Sequence, residues 1–167
     1  SSLLYAEGGV FRTAYEGLRY GNGVNINADG TRLYVAATTG RSLLTFERNA
    51  ADGLLKLLST FPLKTGADNV DVDAEGNLWI AAHPKLLAFV GHAKDSTKKS
   101  PSQVMKLIPQ PGDQYRVEEV LMDDGSLLSG SSIAVRYKDQ LFVGGVFQPS
   151  ILRIKLTQDP VEGRVGK

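Results

Sequence analysis

The chain has 167 residues, of which 42% are hydrophobic and 22% charged, and its formal net charge is +1. These are ordinary values for one globular domain, and the balanced charge argues against nucleic acid or an acidic surface as partner. The chain has no cysteine, which excludes disulfides and thiolate metal sites but leaves the compartment open. No apolar run approaches the ~20 residues that a membrane-spanning helix needs.

Alternation of apolar and polar residues with a period of two predicts β-strands along the whole chain, separated by turn signals such as Asp29-Gly30 and Glu75-Gly76. No segment has a convincing helical pattern, so the predicted fold class is all-β. The first strand begins almost at the first residue, which suggests that the chain starts inside a longer fold. The predicted strands are 3–7, 10–15, 24–27, 33–37, 43–47, 54–61, 70–73, 78–82, 86–90, 104–108, 117–122, 133–137, 141–146 and 151–156.

Three segments repeat one another: N-G-V-N-I-N-A-D-G-T-R-L-Y-V-A-A-T at 22–38, D-N-V-D-V-D-A-E-G-N-L-W-I-A-A-H at 68–83, and S-S-I-A-V-R-Y-K-D-Q-L-F-V-G-G-V at 131–146. The first two repeats are 46 residues apart, close to the ~40–50 of one β-propeller blade. The third follows after 63 residues, which predicts an insertion, a polar surface loop near 91–103 with an exposed His92.

The repeats predict one partial β-propeller domain of roughly two and a half to three blades. Because known propellers need at least ~4 blades to close, exposed sheet faces are expected at both ends. A partner chain, a second copy or a removed segment would have to supply the rest. The predicted divisions are 1–20 (outer strands of a preceding blade), 21–66 (blade), 67–129 (blade with the insertion), 130–157 (closing blade) and 158–167 (tail).

The same phrases resemble the paraoxonase family of calcium-dependent lactonases and arylesterases, a group of six-bladed propellers. Residues 21–36 are similar to the family's A-N-G-I-N-x-S-P-D-G segment, and residues 67–84 to its D-N-I-x-x-D-x-x-G-x-L-W-x-x-x-H-P segment. Residues 130–147 are similar to its closing blade, S-x-A-x-x-Y-x-x-x-L-x-I-G-x-V-F. The three occur in the family's order, so the chain resembles the C-terminal half of such a propeller.

The resemblance implies a catalytic Ca²⁺ at the top of the central channel. Asn22, Asp68 and Asn69 match ligands of that ion, and His83, Val146 and Phe147 match residues that line the substrate pocket. The first three begin equivalent inner strands, so a radial array of blades would bring them together, and Ca²⁺ prefers ~6–8 hard oxygen ligands of this kind. Such an ion would polarise an ester carbonyl that water attacks.

Three side chains with one carboxylate make only part of a calcium shell. In the family the remaining ligands and the histidines proposed as base come from the N-terminal half. The isolated chain is therefore expected to bind Ca²⁺ poorly and to have little hydrolase activity. The third repeat has Ser131-Ser132 at the matching place, and these are poor ligands.

Each of these residues also has a plainer interpretation. Asn22-Gly23 is a common turn pair, the pair at 68–69 could cap a strand, and Phe147 with Val146 could belong to the core. His83 could be a half-buried histidine bonded to the backbone, or a catalytic base that titrates near neutrality. There is no nucleophile elbow, no H-E-x-x-H, no P-loop and no serine-hydrolase pattern around Ser131.

Three functions remain open on these grounds. The first is a Ca²⁺-dependent lactonase or arylesterase acting on a small lactone or ester. The second is a gluconolactonase-like or strictosidine-synthase-like enzyme on the same scaffold. The third is a half-propeller interaction module without a working site. The sequence decides neither the substrate nor the localisation.

Overall fold

The computed structural model describes residues 1–156. The predicted tail at 158–167 and residue 157 of the predicted closing blade lie outside the described residues. Within them the chain forms thirteen strands and one helix, in this order: β1 Leu3–Glu7, β2 Val10–Tyr15, β3 Gly21–Ile26, β4 Arg32–Ala37, β5 Ser42–Arg48, β6 Leu55–Pro62, β7 Gly66–Val72, β8 Leu78–His83, α1 Leu86–Lys94, β9 Ser102–Gln110, β10 Gln114–Asp123, β11 Ser131–Tyr137, β12 Gln140–Gly145 and β13 Ile151–Lys155.

The strands form four separate antiparallel sheets in chain order. Two have four strands, ordered β3-β4-β5-β6 and β7-β8-β9-β10, one has three, ordered β11-β12-β13, and β1 pairs only with β2. Each sheet is a simple meander, because the tight turns predicted from the sequence connect neighbouring strands. The all-β fold class is therefore confirmed.

The first strands of three successive sheets lie against one another, since β7 contacts β3 on one side and β11 on the other. Side-chain amides join them: Asn25 Nδ2 donates to the Val70 carbonyl at 3.2 Å, and Asn69 Nδ2 donates to the Ser132 carbonyl at 3.1 Å. The three sheets are therefore arranged about one axis with β3, β7 and β11 innermost, as in successive blades of a propeller.

The core lies between neighbouring sheets. One cluster joins the first and second four-stranded sheets around Leu43, Ile80 and Leu107, all fully buried. A second joins the β7–β10 sheet to the β11–β13 sheet around Trp79 and Leu141. Burying each such side chain contributes about 2 kcal/mol, so the contacts between blades are the main stabilising term.

One segment differs from the sequence-based expectation. Residues 86–90, predicted as a strand, begin helix α1, and the prediction of no helix is wrong. Leu86, Phe89 and Val90 are spaced i, i+3 and i+4, which is the pattern of one helical face. Five residues of apolar sequence were too short to separate this face from a buried strand.

The region predicted as a polar surface loop is also partly interior. His92 was predicted to be exposed, and it is 1% exposed. Its Nδ1 lies 2.5 Å from the Lys98 carbonyl. Ser100 and Ser102 are fully buried. The Ser100 amide donates to Ser129 Oγ, and Ser102 Oγ donates to the Leu128 carbonyl.

Large apolar side chains are exposed on both terminal sheets. Val10 and Phe11 on β2 are 72% and 71% exposed, and Tyr137 and Ile151 at the other end are 62% and 70% exposed. The expectation of exposed apolar sheet surface at both ends is confirmed. In the described part of the chain no helix is both long and apolar enough to cross a membrane.

Candidate metal and active site

The predicted polar residues lie where the three inner strands depart from regular pairing. The register shifts between Gly21 and Val24 in β3, between Ala67 and Val70 in β7, and between Ser131 and Ile133 in β11. A β-bulge turns side chains away from the regular alternation, and bulges are common beside active sites. The shifts contain Asn22, the pair at 68–69 and Ser132, so equivalent irregularities re-aim all of them at one end of the axis.

Close approach of β3 and β7 depends on a glycine inside the first bulge. A Cβ placed on Gly23 would lie 2.5 Å from Asn69 Cα and 2.7 Å from the Asp68 carbonyl oxygen. No side chain fits at those distances. Asn22-Gly23 is therefore not an ordinary turn. It lies in strand β3, where the β3 backbone passes directly over the β7 backbone.

Asp68 and His83 form a buried pair. The carboxylate Oδ2 of Asp68 lies 2.9 Å from His83 Nε2, and the two residues are 5% and 1% exposed. The Phe89 ring stacks on the imidazole with a centroid distance of 3.7 Å and an interplanar angle of 16°. The hydrogen bond from His83 therefore fixes the position of the Asp68 carboxylate, and Phe89 of helix α1 packs on the His83 ring.

The two asparagines use their amide nitrogens within the protein. Asn22 Nδ2 donates to Thr38 Oγ1 at 3.3 Å, and Asn69 Nδ2 donates to Asp68 Oδ1 and to Ser132. Among the described residues, neither amide oxygen has a hydrogen-bond partner. Each side chain is therefore oriented by its nitrogen, and its oxygen is left for another group.

These oxygens fit part of a calcium shell, the cofactor that the resemblance implies. Two amide oxygens and one carboxylate are hard ligands of the kind that Ca²⁺ takes, and three donors are fewer than the ~6–8 it requires. Within residues 1–156 no group of three His, Cys, Asp or Glu side chains could hold a metal. An ion at this site would therefore depend on amide oxygens.

A cavity of about 460 Å³ opens above these residues. Its floor is polar, with Asn22, Asp68 and Asn69, and one wall is apolar. The residues of that wall come from helix α1 and from the end of the β12–β13 region: Leu86, Phe89, Val90 and Val146. The arrangement can hold a small molecule that has one polar and one apolar side.

Five of the six predicted site residues line this cavity, and Phe147 does not. Phe147 is 47% exposed and packs beside it, with its ring centroid 5.4 Å from that of His92 and 6.5 Å from that of Phe89. The plainer core interpretation does not apply to Val146 either, because Val146 is 38% exposed.

Sequence reasoning missed two contributors, the helix wall and Ser132. Ser132 was set aside as a poor ligand, yet its backbone carbonyl and Oγ both receive the Asn69 amide at 3.1 Å. A backbone carbonyl has no signature in a sequence. The helix wall did have one, the spacing of its apolar residues.

Two further carboxylates, Asp71 in β7 and Asp73 directly after it, differ from each other in the direction of their pKa shifts. Burial raises the pKa of Asp71, whose Oδ1 is 3.5 Å from Asn25 Nδ2. Burial would also raise the pKa of Asp73, but hydrogen bonds from Trp79 and Asn77 outweigh it and hold that pKa below its usual value. Both lie away from the cavity floor.

Two solved structures share this fold. A luciferin-regenerating enzyme has a TM-score of 0.54 at 15% identity, with 81% of this chain and 40% of that chain covered. A gluconolactonase from Xanthomonas campestris has a TM-score of 0.55 at 18% identity, with 91% of this chain and 49% of that chain covered. At these identities the likeness shows the fold alone.

Curated relatives are similar over most of the chain. Human serum paraoxonase/arylesterase 1 is 30% identical over 152 residues, or 90% of this chain and 42% of its own length. Serum paraoxonase/arylesterase 2 of Gallus gallus is 28% identical with the same coverage. Mechanosensory abnormality protein 6 of Caenorhabditis elegans is 29% identical over 151 residues, or 87% of this chain and 40% of its length.

This chain thus spans about two fifths of the length of the curated relatives it matches. A family model described as Arylesterase matches residues 1–153. The chain therefore belongs to the arylesterase family and corresponds to the C-terminal part of its paraoxonases.

Proposed function

We propose that this chain forms about half of the active site of a Ca²⁺-dependent hydrolase of lactones or aryl esters. One observation carries the proposal: two free amide oxygens and a buried carboxylate meet on the floor of a cavity that has an apolar wall. The names of the paraoxonase/arylesterase relatives support the reaction class.

Asn22, Asp68 and Asn69 would hold the ion. When bound, Ca²⁺ supplies a Lewis acid that stabilises negative charge on a carbonyl oxygen. The protein's part is to keep the ligands in place: Thr38 orients Asn22, and Ser132 orients Asn69. Removing a residue that hydrogen-bonds to a metal ligand commonly lowers metal affinity or activity by roughly 10- to 100-fold.

The apolar wall would bind the acyl or aryl part of the substrate. Leu86, Phe89, Val90 and Val146 line it. They place apolar surface beside the polar floor and exclude water from the far side of the substrate, which strengthens electrostatic interactions at the floor. Phe147 supports this wall from behind through its contacts with Phe89 and His92.

We assign His83 a positioning role. It is 1% exposed, and Nε2, the nitrogen that reaches the Asp68 carboxylate, is engaged there. Its Nδ1 is buried without a hydrogen-bond partner among the described residues. The base role predicted from the sequence stays a prediction, and these contacts favour an action through Asp68 instead.

The calcium shell and the propeller would be completed by another half-propeller, supplied by a separate chain, a second copy or a segment outside the given sequence. The exposed apolar residues on the two terminal sheets support this partner, because large exposed apolar patches usually mark interaction surfaces. On this proposal the chain alone binds Ca²⁺ weakly and hydrolyses little ester.

The test is hydrolysis of phenyl acetate and of γ- and δ-lactones by the chain with its companion half, before and after chelation and calcium refill. Chelator-sensitive turnover is expected, and Asn22→Ala should weaken Ca²⁺ binding measured by calorimetry at least about tenfold. Asn49→Ala, at an exposed turn, is the matched control. Turnover that survives chelation would contradict calcium dependence.

Absence of turnover in the fully assembled, calcium-loaded protein would favour the interaction module. Preference for lactones over aryl esters would favour the gluconolactonase-like enzyme. Native mass spectrometry of the assembly separates these outcomes from simple failure to assemble.

A further inference from the structure

A second recess lies beside the catalytic cavity, formed by the segment before β3 and the β4–β5 turn. It has a volume of about 320 Å³, and we call it the arginine cleft. Arg19 and Arg41 line it together with Ser42, Gly40 and Thr60, and no acidic residue lines it within residues 1–156.

The two guanidinium groups of the arginine cleft are unpaired. Among the described residues, the side chains of Arg19 and Arg41 make no salt bridge and no hydrogen bond, whereas Arg32, Arg116 and Arg136 are all paired with carboxylates. Both arginines are exposed, and neither has a carboxylate counterion within residues 1–156. Guanidinium groups match planar carboxylates and phosphates through parallel N–H bonds.

A hydroxyl lines the same recess. Within residues 1–156, Ser42 Oγ makes no hydrogen bond to the protein, and it is accessible from the arginine cleft. A serine hydroxyl can donate one hydrogen bond. An accessible hydroxyl beside two guanidinium groups can therefore donate to an anion bound in the cleft.

The backbone holds this arrangement open. Arg41 has φ +49°, in the left-handed region, and its carbonyl accepts from the Leu63 amide at 2.8 Å. A Cβ on Gly40 would come within 3.1 Å of Arg19 Cβ and 3.3 Å of Ser42 Oγ. A side chain at position 40 would require its neighbours to shift, so the glycine keeps the space between the arginine and the hydroxyl open. Left-handed backbone like that of Arg41 is often found at binding sites.

The arginine cleft and the catalytic cavity share a wall. The Gly40 amide donates to the Arg19 carbonyl at 3.1 Å, and the Thr38 amide donates to the Tyr20 carbonyl at 2.9 Å. Arg19 and Gly40 face the cleft, whereas Tyr20 and Thr38 line the cavity. An anion in the cleft would therefore lie one residue away from the cavity.

We propose that the arginine cleft is a binding site for a small oxyanion, a carboxylate or a phosphate, held by Arg19, Arg41 and Ser42. The proposal does not rest on the hydrolase function, since it concerns other side chains. Two probes distinguish the two chemistries, acetate and inorganic phosphate, each titrated at constant ionic strength.

The experiment is NMR titration of the full chain, following the Arg Nε–H signals and the amides of Ser42, Tyr20 and Thr38. We expect saturable shifts at about millimolar concentrations of at least one probe. Arg41→Gln should weaken binding about tenfold or more. The matched control is Arg153→Gln, which removes an exposed β13 arginine that has no carboxylate partner among residues 1–156, and it should leave binding unchanged.

Gly40→Ala provides a second variant that narrows the arginine cleft without changing charge, and it should also weaken binding. The spectrum of each variant reports whether it is folded. Shifts that do not saturate, or equal binding by the Arg41 and Arg153 variants, would overturn the proposal.

Discussion

Two aspartates, Asp68 within strand β7 and Asp73 directly after its end, have different surroundings. Asp73 accepts hydrogen bonds from Trp79 Nε1 at 2.9 Å and from the Asn77 amide at 2.8 Å, and Arg136 of the next sheet lies 3.3 Å away. Asp68 has only His83 and the Asn69 amide, and it borders a cavity. The first carboxylate is saturated by the protein, and the second is left able to bind something else.

The difference shows how one repeat unit serves stability and function together. Charge-assisted hydrogen bonds contribute most when every lone pair is used, so Asp73 joins two blades at the turn end. Near Asp68 the β-bulge interrupts regular pairing, and within residues 1–156 the neighbouring asparagine amide oxygens are left without hydrogen-bond donors. A carboxylate with few internal partners is the one available to a metal or substrate.

The largest expected effect separates the two aspartates by function. Asp68→Asn in the assembled protein should lower chelator-sensitive hydrolysis by at least about 100-fold, because a ligand carboxylate is lost while the shape is kept. Asp73→Asn should leave hydrolysis within about threefold of the wild type. Equal losses in both variants, measured as kcat/KM, would break the distinction.

The next effect tests the close approach beside the site. Gly23→Ala would place a Cβ 2.5 Å from Asn69 Cα, so the inner strands must separate. Overpacking against backbone should destabilise the fold by about 3 kcal/mol, measured by urea unfolding. Gly91→Ala is the control, since its Cβ would meet only Lys98 Cδ at 3.9 Å. If Gly23→Ala left the urea midpoint of unfolding unchanged, the close approach of Gly23 to Asn69 would be refuted.

The smallest expected effect is the loss of folding stability on replacing Asp73, and this loss depends on pH. Its carboxyl pKa is lowered from 3.8 in the fold, so its ionised form favours the folded state. That stability is present above the unfolded pKa and is lost as the pH falls through the folded one. At pH 7 Asp73→Asn should therefore cost about 2 kcal/mol.

As the pH falls through the lowered pKa of Asp73, the unfolding midpoints of the wild type and the Asp73→Asn variant should converge, as followed by circular dichroism. A gap between them that persists or widens in acid would contradict a charge-based role for Asp73.

Most of the fold was predictable because its signal is local. Period-two alternation occurs in every blade, D-G or E-G turns occur in all but the closing blade, and thirteen of the fourteen predicted strands match strands of the structure. Helix α1 was missed because Leu86 to Val90 is apolar at nearly every position, and such a run fits a buried strand as well as a helix face. The burial of His92 was not predictable, since it depends on the helix packing beside Phe147.

For the candidate site, the sequence predicted the residues and their convergence at one end of the axis, but not how their side chains are oriented. Asn22, Asp68 and Asn69 stand out because they begin matching repeats. Their orientation comes from β-bulges and from the Ser132 carbonyl, neither of which has a sequence pattern. Asp68 and His83 are 15 positions apart in the chain, and this spacing does not predict that their side chains are in contact.

The sequence by itself determined the repeated blades, the all-β class and the residue types that end the inner strands, because alternation and turn chemistry act over a few neighbouring residues. Only the tertiary structure decided which oxygens remain unpaired, which arginines lack partners and which loops are buried. Those properties depend on contacts between blades, and a contact between blades exists only once the sheets have stacked about their axis.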